Sequence, residues 1–298
     1  MEKMLEGKTL SQKILSSLPV RIAGVTARAG RPPLLAIINY FDDSPSGVYV
    51  KRKIAACEKL GVGIRVIKPE LKEGLPGFLN VLARLKDDSG VDAVMIERPL
   101  PEGFEVPAMW DAVPEGKDVD ALSSVNMGRL FISKMRDIER ADFFTPCTAL
   151  AVVRLLKHHN IEVAGKKIAV AGRSAVVGRP LAHMLSCMDA TVTICHTKTE
   201  DISGLFKTSD IIVTAAGKVR WLKAEMVAAE AVIIDVGTNI DGDGRMCGDA
   251  DYEGLKDKVR AMTPVPGGVG PVTLACLIEA AVKAAENNSA QRQEGAKK

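Results

Sequence analysis

The chain has 298 residues, 47% of them apolar and 26% charged, which excludes a disordered chain and leaves room for roughly two domains of about 150 residues each. Forty Lys and Arg against 37 Asp and Glu give a net charge of +3, too small to point to a nucleic-acid partner. No run approaches the roughly 18 apolar residues of a membrane span, and the opening Met1–Lys8 has no apolar h-region, so a cytoplasmic protein without membrane attachment is expected. The six cysteines (57, 147, 187, 195, 247 and 276) form no CxxC pair and have no His at ligand spacing; they read as reduced, buried small residues, with no metal site.

In chain order, the first apolar run is Leu34–Ile38. Behind it, Ser44 suits an N-cap, Pro45 the first helical position and Gly61 the residue just past the helix end. Between them Val50, Ile54 and Cys57 make an apolar stripe, while Tyr49 and Lys53, four apart, share an adjacent face. Further runs follow at Val62–Ile67 and Val91–Ile96. The polar stretch Asp137–Asp142 marks a domain switch before a helix from Thr148 to about His159. In the second half the runs are Lys167–Ala171, Ala190–Ile194, Ile211–Thr214 and Ala231–Val236. Short β-branched runs alternating with helices fit parallel α/β sheets covered on both faces. A last helix from about Val272 to Ala285 is apolar enough to dock, and Asn287–Lys298 reads as a solvated tail.

The segment Ile168–Pro180 is a strand, a tight loop and a helix start. Glycines at 172 and 178 let backbone N–H groups approach a pyrophosphate at a helix N-terminus, although the spacing is not GxGxxG. A plain strand-to-helix turn would look the same. An NAD site ordinarily has an acid at the end of the second strand for the ribose 2′-OH; here that strand ends Cys195-His196-Thr197-Lys198. Arg173 and Ser174 in the first loop supply a guanidinium and a hydroxyl for a 2′-phosphate, which favours NADP.

Read with Tyr49-Val50-x-x-Lys53, Lys117-Asp118-Val119-Asp120, Pro146-Cys147-Thr148, Asp235-Val236-Gly237 and the dense Pro/Gly string Thr263–Thr273, this loop resembles the bifunctional methylenetetrahydrofolate dehydrogenase/methenyltetrahydrofolate cyclohydrolase family over almost the whole chain. The resemblance implies a two-domain α/β fold. An N-terminal folate-binding lobe would take residues 1–142 with a C-terminal helix at 274–298. A Rossmann-type, doubly wound parallel sheet holding NADP would take residues 143–273, with catalysis in the cleft.

It also implies oxidation of 5,10-methylenetetrahydrofolate by hydride transfer to NADP and hydrolysis of the methenyl product to 10-formyltetrahydrofolate, by a homodimer acting on tetrahydrofolate one-carbon derivatives. By position, Lys53 corresponds to the catalytic lysine, Tyr49 to its partner and Asp120 to the carboxylate gripping the pterin. Pro99, Pro266 and Gly267 would shape the folate slot. Thr148, Gly172, Arg173, Ser174, Val177, Thr197, Gly270 and Thr273 would line the cofactor site. A lysine partly desolvated in a cleft suits general-base or proton-relay work beside the cationic methenyl product.

Several positions depart from the family pattern. Glu97 and Arg98 stand where glutamine and a small apolar residue are usual. A carboxylate about 4 Å from an ammonium is worth roughly 4 kcal/mol at an effective dielectric near 20, so an ionised Glu97 would oppose Lys53 as a base. Either the cyclohydrolase is weakened, or the pair shares its proton and Glu97 mimics the amide; local neutralisation of Glu97 by Arg98 is a third reading. Ala121 replaces glycine, Ala149 and Ala151 replace proline and glycine, and Phe41 adds bulk before the acidic pair Asp42–Asp43. Three further functions compete: a dehydrogenase without cyclohydrolase, an enzyme of another one-carbon pterin, and a silent nucleotide-binding protein that would bind NADP without turnover.

Overall fold

Every one of these apolar runs forms a strand in the computed structural model, which describes residues 3–41, 45–134, 138 and 143–295. Contacts divide the described residues into two units, one within 13–132, 141–145 and 277–298, the other within 1–12, 133–140 and 146–276.

Helices α1 (Lys8–Ser16) and α2 (Leu18–Ala29) precede strand β1 (Leu34–Ile38), which is followed by α3 (Pro45–Leu60), β2 (Gly63–Ile67), α4 (Gly74–Asp87), β3 (Ala93–Ile96), α5 (Pro107–Asp111) and α6 (Ser124–Ile132). The sheet of the first unit is parallel in the order β2-β1-β3, with Leu34 opposite Gly63 and Leu35 opposite Ala93. Central β1 is buried from Leu35 to Ile38, as a strand covered on both faces must be. On α4, Phe78, Leu82 and Leu85 fall at i, i+4 and i+7 and pack with Ala36, Ile38 and Val94. The carbonyls at the end of α4 are capped from a distance: Lys117 Nζ donates to Leu85 O (2.8 Å), Lys86 O (3.0 Å) and Asp88 O (2.8 Å).

Pro45 opens α3 and Gly61 ends it at φ +77°, its N–H donating to Glu58 O. The N-cap reading of Ser44 lies outside the described residues, as do Asp42 and Asp43. So does the expected domain switch at Asp137–Asp142, apart from Ile138.

The second unit contains α7 (Cys147–His158), β4 (Lys167–Ala171), α8 (Gly178–Ser186), β5 (Thr191–Cys195), α9 (Ile202–Lys207), β6 (Ile211–Thr214), β7 (Val232–Asp235), the short antiparallel pair β8 (Asn239–Ile240) and β9 (Met246–Cys247), α10 (Tyr252–Leu255) and β10 (Ala261–Met262). Its five-stranded parallel sheet runs β10-β7-β6-β4-β5. Ala169, Ile212, Ile233 and Met262 meet Phe206, Leu222 and Leu255 in one core. Ala149 and Ala151 are fully buried on α7, where their small side chains favour the helix.

The last helix corrects the expected solvated tail. Helix α11 runs from Val269 to Gly295, and the division between units falls within it at residues 276 and 277. Asn288 Nδ2 donates to Asp92 O (3.3 Å), Ser289 is buried, and Arg21 grips Glu286 through Nε (3.0 Å) and Nη2 (2.7 Å). Polar composition suggests a tail, but these residues find polar partners on α2 and β3's entry, so the helix continues.

Candidate active site

Helix α3 carries Lys53 at the middle position of a buried i, i+3, i+7 stripe with Val50 and Cys57. Spacing places Lys53 beside Tyr49, but burial places it among the apolar positions: it is only 6% exposed. What makes an ammonium tolerable there is Glu97, itself 8% exposed, whose Oε2 accepts from Lys53 Nζ in a direct, hydrogen-bonded ion pair. Glu97 is placed by the sheet, following β3 with its backbone N–H donating to Ile38 O (2.8 Å). Tyr49, one turn before Lys53, is half-buried, and the guanidinium of Arg52 lies 5.7 Å from its ring centroid. Cys57, one turn after Lys53, is buried, and that burial pushes its thiol up to about 12, leaving it a packing residue.

Arg98 does not serve as Glu97's neutralising partner. Its Nη2 pairs with Glu105 Oε1 (2.7 Å), and its guanidinium lies 4.7 Å over the Trp110 ring on α5. Burial lowers the Arg98 pKa, opposed by the charges of Glu105, Asp120 and Glu97. Pro99 follows across a cis peptide bond and is exposed.

Asp120 sits in a turn brought alongside β3 by a parallel bridge between Val94 and Asp118, with Val94 N–H donating to Lys117 O (2.7 Å). The next residue, Ala121, adopts φ +57°; the backbone has kept the left-handed conformation that glycine would take freely, rather than adjusting away from it. Asp118 holds it there. Its carboxylate accepts from Leu122 N (3.2 Å), Ser123 N (2.8 Å) and Asn126 Nδ2 (3.1 Å), and its carbonyl accepts from Ala121 N (3.1 Å). Phe41, half-buried, packs 6.3 Å from Tyr40 at the end of β1.

In the second unit, β4 runs into the loop 172–177 and then α8. Gly172 has φ +146°, and a Cβ there would stand 2.4 Å from Ala215 O; one on Gly178 would stand 2.0 Å from Gly172 O. Only glycines let the loop fold this tightly against β6 and present its N–H groups at the start of α8. Arg173 and Ser174 are exposed on this loop, and Ser174 Oγ accepts from Val177 N (3.2 Å). Val177 immediately precedes α8, and Thr197 is exposed beyond β5. Thr148 is the second residue of α7, and Gly270 and Thr273 lie in the first turns of α11, Thr273 Oγ1 donating to Val269 O (3.2 Å). We expect Gly172→Ala to weaken NADPH binding at least about tenfold in a fluorescence titration, because backbone must move to admit the methyl group. Unchanged affinity would show that the loop does not approach the cofactor.

Two buried carboxylates that spacing alone does not single out as a pair organise the ends of β6 and β7. Asp235 accepts from Thr214 Oγ1 (3.0 Å), Gly237 N (2.9 Å), Asp249 N (3.1 Å) and Ala250 N (2.8 Å). Asp249 accepts from Ala216 N (2.6 Å), Gly217 N (3.1 Å), Lys218 N (3.0 Å) and Asn239 Nδ2 (2.9 Å). Burial, with the Asp249 charge adding to it, pushes the Asp235 carboxyl up to about 6, against N–H donors that favour the carboxylate.

Tyr49, Lys53, Glu97, Pro99 and Asp120 thus belong to one unit, and the candidate cofactor residues to the other. Pro266 and Gly267, expected at the folate slot, belong to the second unit, in the loop before α11; Gly267 O accepts from Gly7 N (2.8 Å).

Comparison with known proteins matches both units. Residues 5–120 fit the model of the tetrahydrofolate dehydrogenase/cyclohydrolase catalytic domain, and residues 146–289 that of the NAD(P)-binding domain. The bifunctional protein FolD of Elusimicrobium minutum is 45% identical over 277 residues, covering 93% of this chain and 96% of its own. Among solved structures, the bifunctional FolD methylenetetrahydrofolate dehydrogenase/cyclohydrolase of Campylobacter jejuni superposes with a TM-score of 0.86 at 37% identity, covering 95% of this chain and 98% of that one. The Trypanosoma brucei enzyme, solved with NADP cofactor and an inhibitor, gives a TM-score of 0.86 at 31% identity over 95% of this chain and 97% of its own.

Proposed function

The chain belongs to the tetrahydrofolate dehydrogenase/cyclohydrolase family, and from that premise we infer that Lys53, buried against Glu97, is the group on which its chemistry turns. The protein is an NADP-dependent methylenetetrahydrofolate dehydrogenase and methenyltetrahydrofolate cyclohydrolase. NADP supplies the hydride acceptor. A C–H bond of the 5,10-methylene carbon is given up as hydride, leaving a methenyl cation. Water then adds to that carbon, one N–C bond opens, a proton is released and the 10-formyl product results.

The residues present suit the cofactor. The Gly172 loop ends at a helix N-terminus, Arg173 and Ser174 lie exposed upon it, and no acid follows β5 until Glu200. In this reading Arg173 and Ser174 hold the 2′-phosphate, and Thr148, Gly172, Val177, Thr197, Gly270 and Thr273 line the site. Asp120 accepts from the pterin's amino and ring N–H groups, Tyr49 packs against the substrate, and Pro99, Pro266 and Gly267 border it. Lys53 orders water at the one-carbon centre and carries the proton. The folate lobe is then residues 1–142 with 274–298 and the NADP lobe 143–273, and the active species is a homodimer. Among the described residues no helix is long and apolar enough to cross a membrane.

The direct Lys53–Glu97 ion pair also favours a second reading, a dehydrogenase whose cyclohydrolase is slowed, because an amine committed to a carboxylate partner is less available to water at the one-carbon centre. Assay of both half-reactions across pH in wild type and Glu97→Gln tests both readings. On the second reading, releasing Lys53 from its carboxylate raises hydrolysis about tenfold or more while hydride transfer changes little. An unchanged hydrolysis rate and profile would remove Glu97 from the mechanism. NADP binding without turnover in either assay would overturn the enzymatic reading.

A further inference from the structure

We propose that Arg98 is a specificity-determining residue, donating to the 4-oxo oxygen of the pterin beside the N–H groups taken by Asp120. This rests on the placing of the folate's pterin at Asp120. One edge of a 4-oxo pterin presents two donors, the 2-amino group and N3–H, and next to them one acceptor, the 4-oxo oxygen. A carboxylate satisfies the donors, and the neighbouring oxygen requires a donor of its own.

The structure supplies one. The Val94–Asp118 bridge brings the 117–120 turn alongside β3, at whose end Arg98 lies. Trp110 and Glu105 fix the guanidinium from two sides, so little motion is lost on binding. Arg98 Nε is buried without a hydrogen-bond acceptor among the described residues, while the side chain as a whole remains 29% exposed. A partly exposed guanidinium with an unpaired N–H gains from an acceptor brought by a ligand. The surrounding acids, Glu105, Asp120 and Glu97, favour its charged form against the burial that disfavours it.

The test uses folic acid, with a 4-oxo group beside N3–H, and aminopterin, with a 4-amino group beside an unprotonated N3, titrated calorimetrically against the full chain; the change in preference on altering Arg98 alone reads the 4-position contact. Wild type is expected to bind folic acid more tightly, and no preference in wild type would overturn the proposal. Arg98→Leu is expected to reduce that preference about 10- to 100-fold, the worth of one hydrogen bond from a charged donor, chiefly by weakening folic acid. Arg98→Lys retains part of the preference and serves alone if the leucine variant fails to fold by near-ultraviolet circular dichroism. A preference unchanged in the variant that folds, or equal weakening of both ligands, would overturn the proposal and leave Arg98 a packing residue. Asp120→Asn separates the two levels: if it weakens neither ligand, the placing of the pterin itself fails, whereas weakening there with an unchanged Arg98 preference defeats only the present inference.

Discussion

Replacing Lys53 by methionine is expected to cost about 3–5 kcal/mol of stability and to slow hydrolysis of methenyltetrahydrofolate by about 10²–10⁴-fold. The stability loss comes from what is left behind. Glu97 is 8% exposed and its Oε2 meets Lys53 Nζ, so removing the ammonium strands a carboxylate away from water. Methionine nearly matches the lysine stem in volume, which keeps cavity formation out of the comparison. Lys53→Met combined with Glu97→Gln is expected to recover most of the stability, since the remaining amide is neutral, and none of the hydrolysis. Urea unfolding read by Trp110 fluorescence in a Trp221→Phe background reports on the unit containing this pair; the chain has only these two tryptophans, one in each unit. A single variant as stable as wild type would show that the pair is solvated. Hydrolysis surviving in the double variant would place the proton-carrying group elsewhere.

Asp235→Ala is expected to destabilise the cofactor-binding unit by about 3–5 kcal/mol, because it leaves the buried donors of Thr214, Gly237, Asp249 and Ala250 without their acceptor. The same carboxyl carries a pH dependence. It titrates near 6 in the folded chain against 3.8 as an unperturbed carboxyl, so the folded state holds its proton more tightly. Its contribution is complete below about pH 4 and is lost as pH rises through about 6, a change of about 3 kcal/mol. Asp235→Asn cannot titrate, so the stability difference between wild type and this variant is expected to shrink in wild type's disfavour by about that amount between pH 4 and pH 7. Unfolding read by Trp221 in a Trp110→Phe background measures it. A difference constant with pH would show that the carboxyl titrates alike in the folded and unfolded chains.

Much of the fold was legible in the chain itself. The runs Leu34–Ile38, Lys167–Ala171 and Ile211–Thr214 match strands β1, β4 and β6 residue for residue, because strands buried on both faces need uninterrupted apolar residues and turn residues bound them. The helix from Pro45 to Gly61 was legible from its end residues. The helix beyond Ala285 was not: Asn288 and Ser289 carry no apolar signal, and their partners, Asp92 O and Glu286 O among them, include one nearly 200 positions away in the chain.

The candidate site divides in the same way. Glycine spacing after a strand was enough to mark the Gly172–Gly178 loop as a nucleotide-site candidate, since backbone freedom is a property of the sequence; Tyr49, Lys53 and Asp120 were marked by the family resemblance, because a polar pair four apart also suits a plain helix surface. That Glu97 meets Lys53 directly while Arg98 turns instead to Glu105 and Trp110 was decided by tertiary structure. Neighbours in the chain at the end of a strand need not share a partner, and packing determines which charge each one meets. The burial of Lys53 on the apolar stripe of α3, and the joining of Asp235 to Asp249 beneath the ends of β6 and β7, depend likewise on which elements the sheets set side by side. Desolvation and long-range hydrogen bonds exist only once the chain has folded.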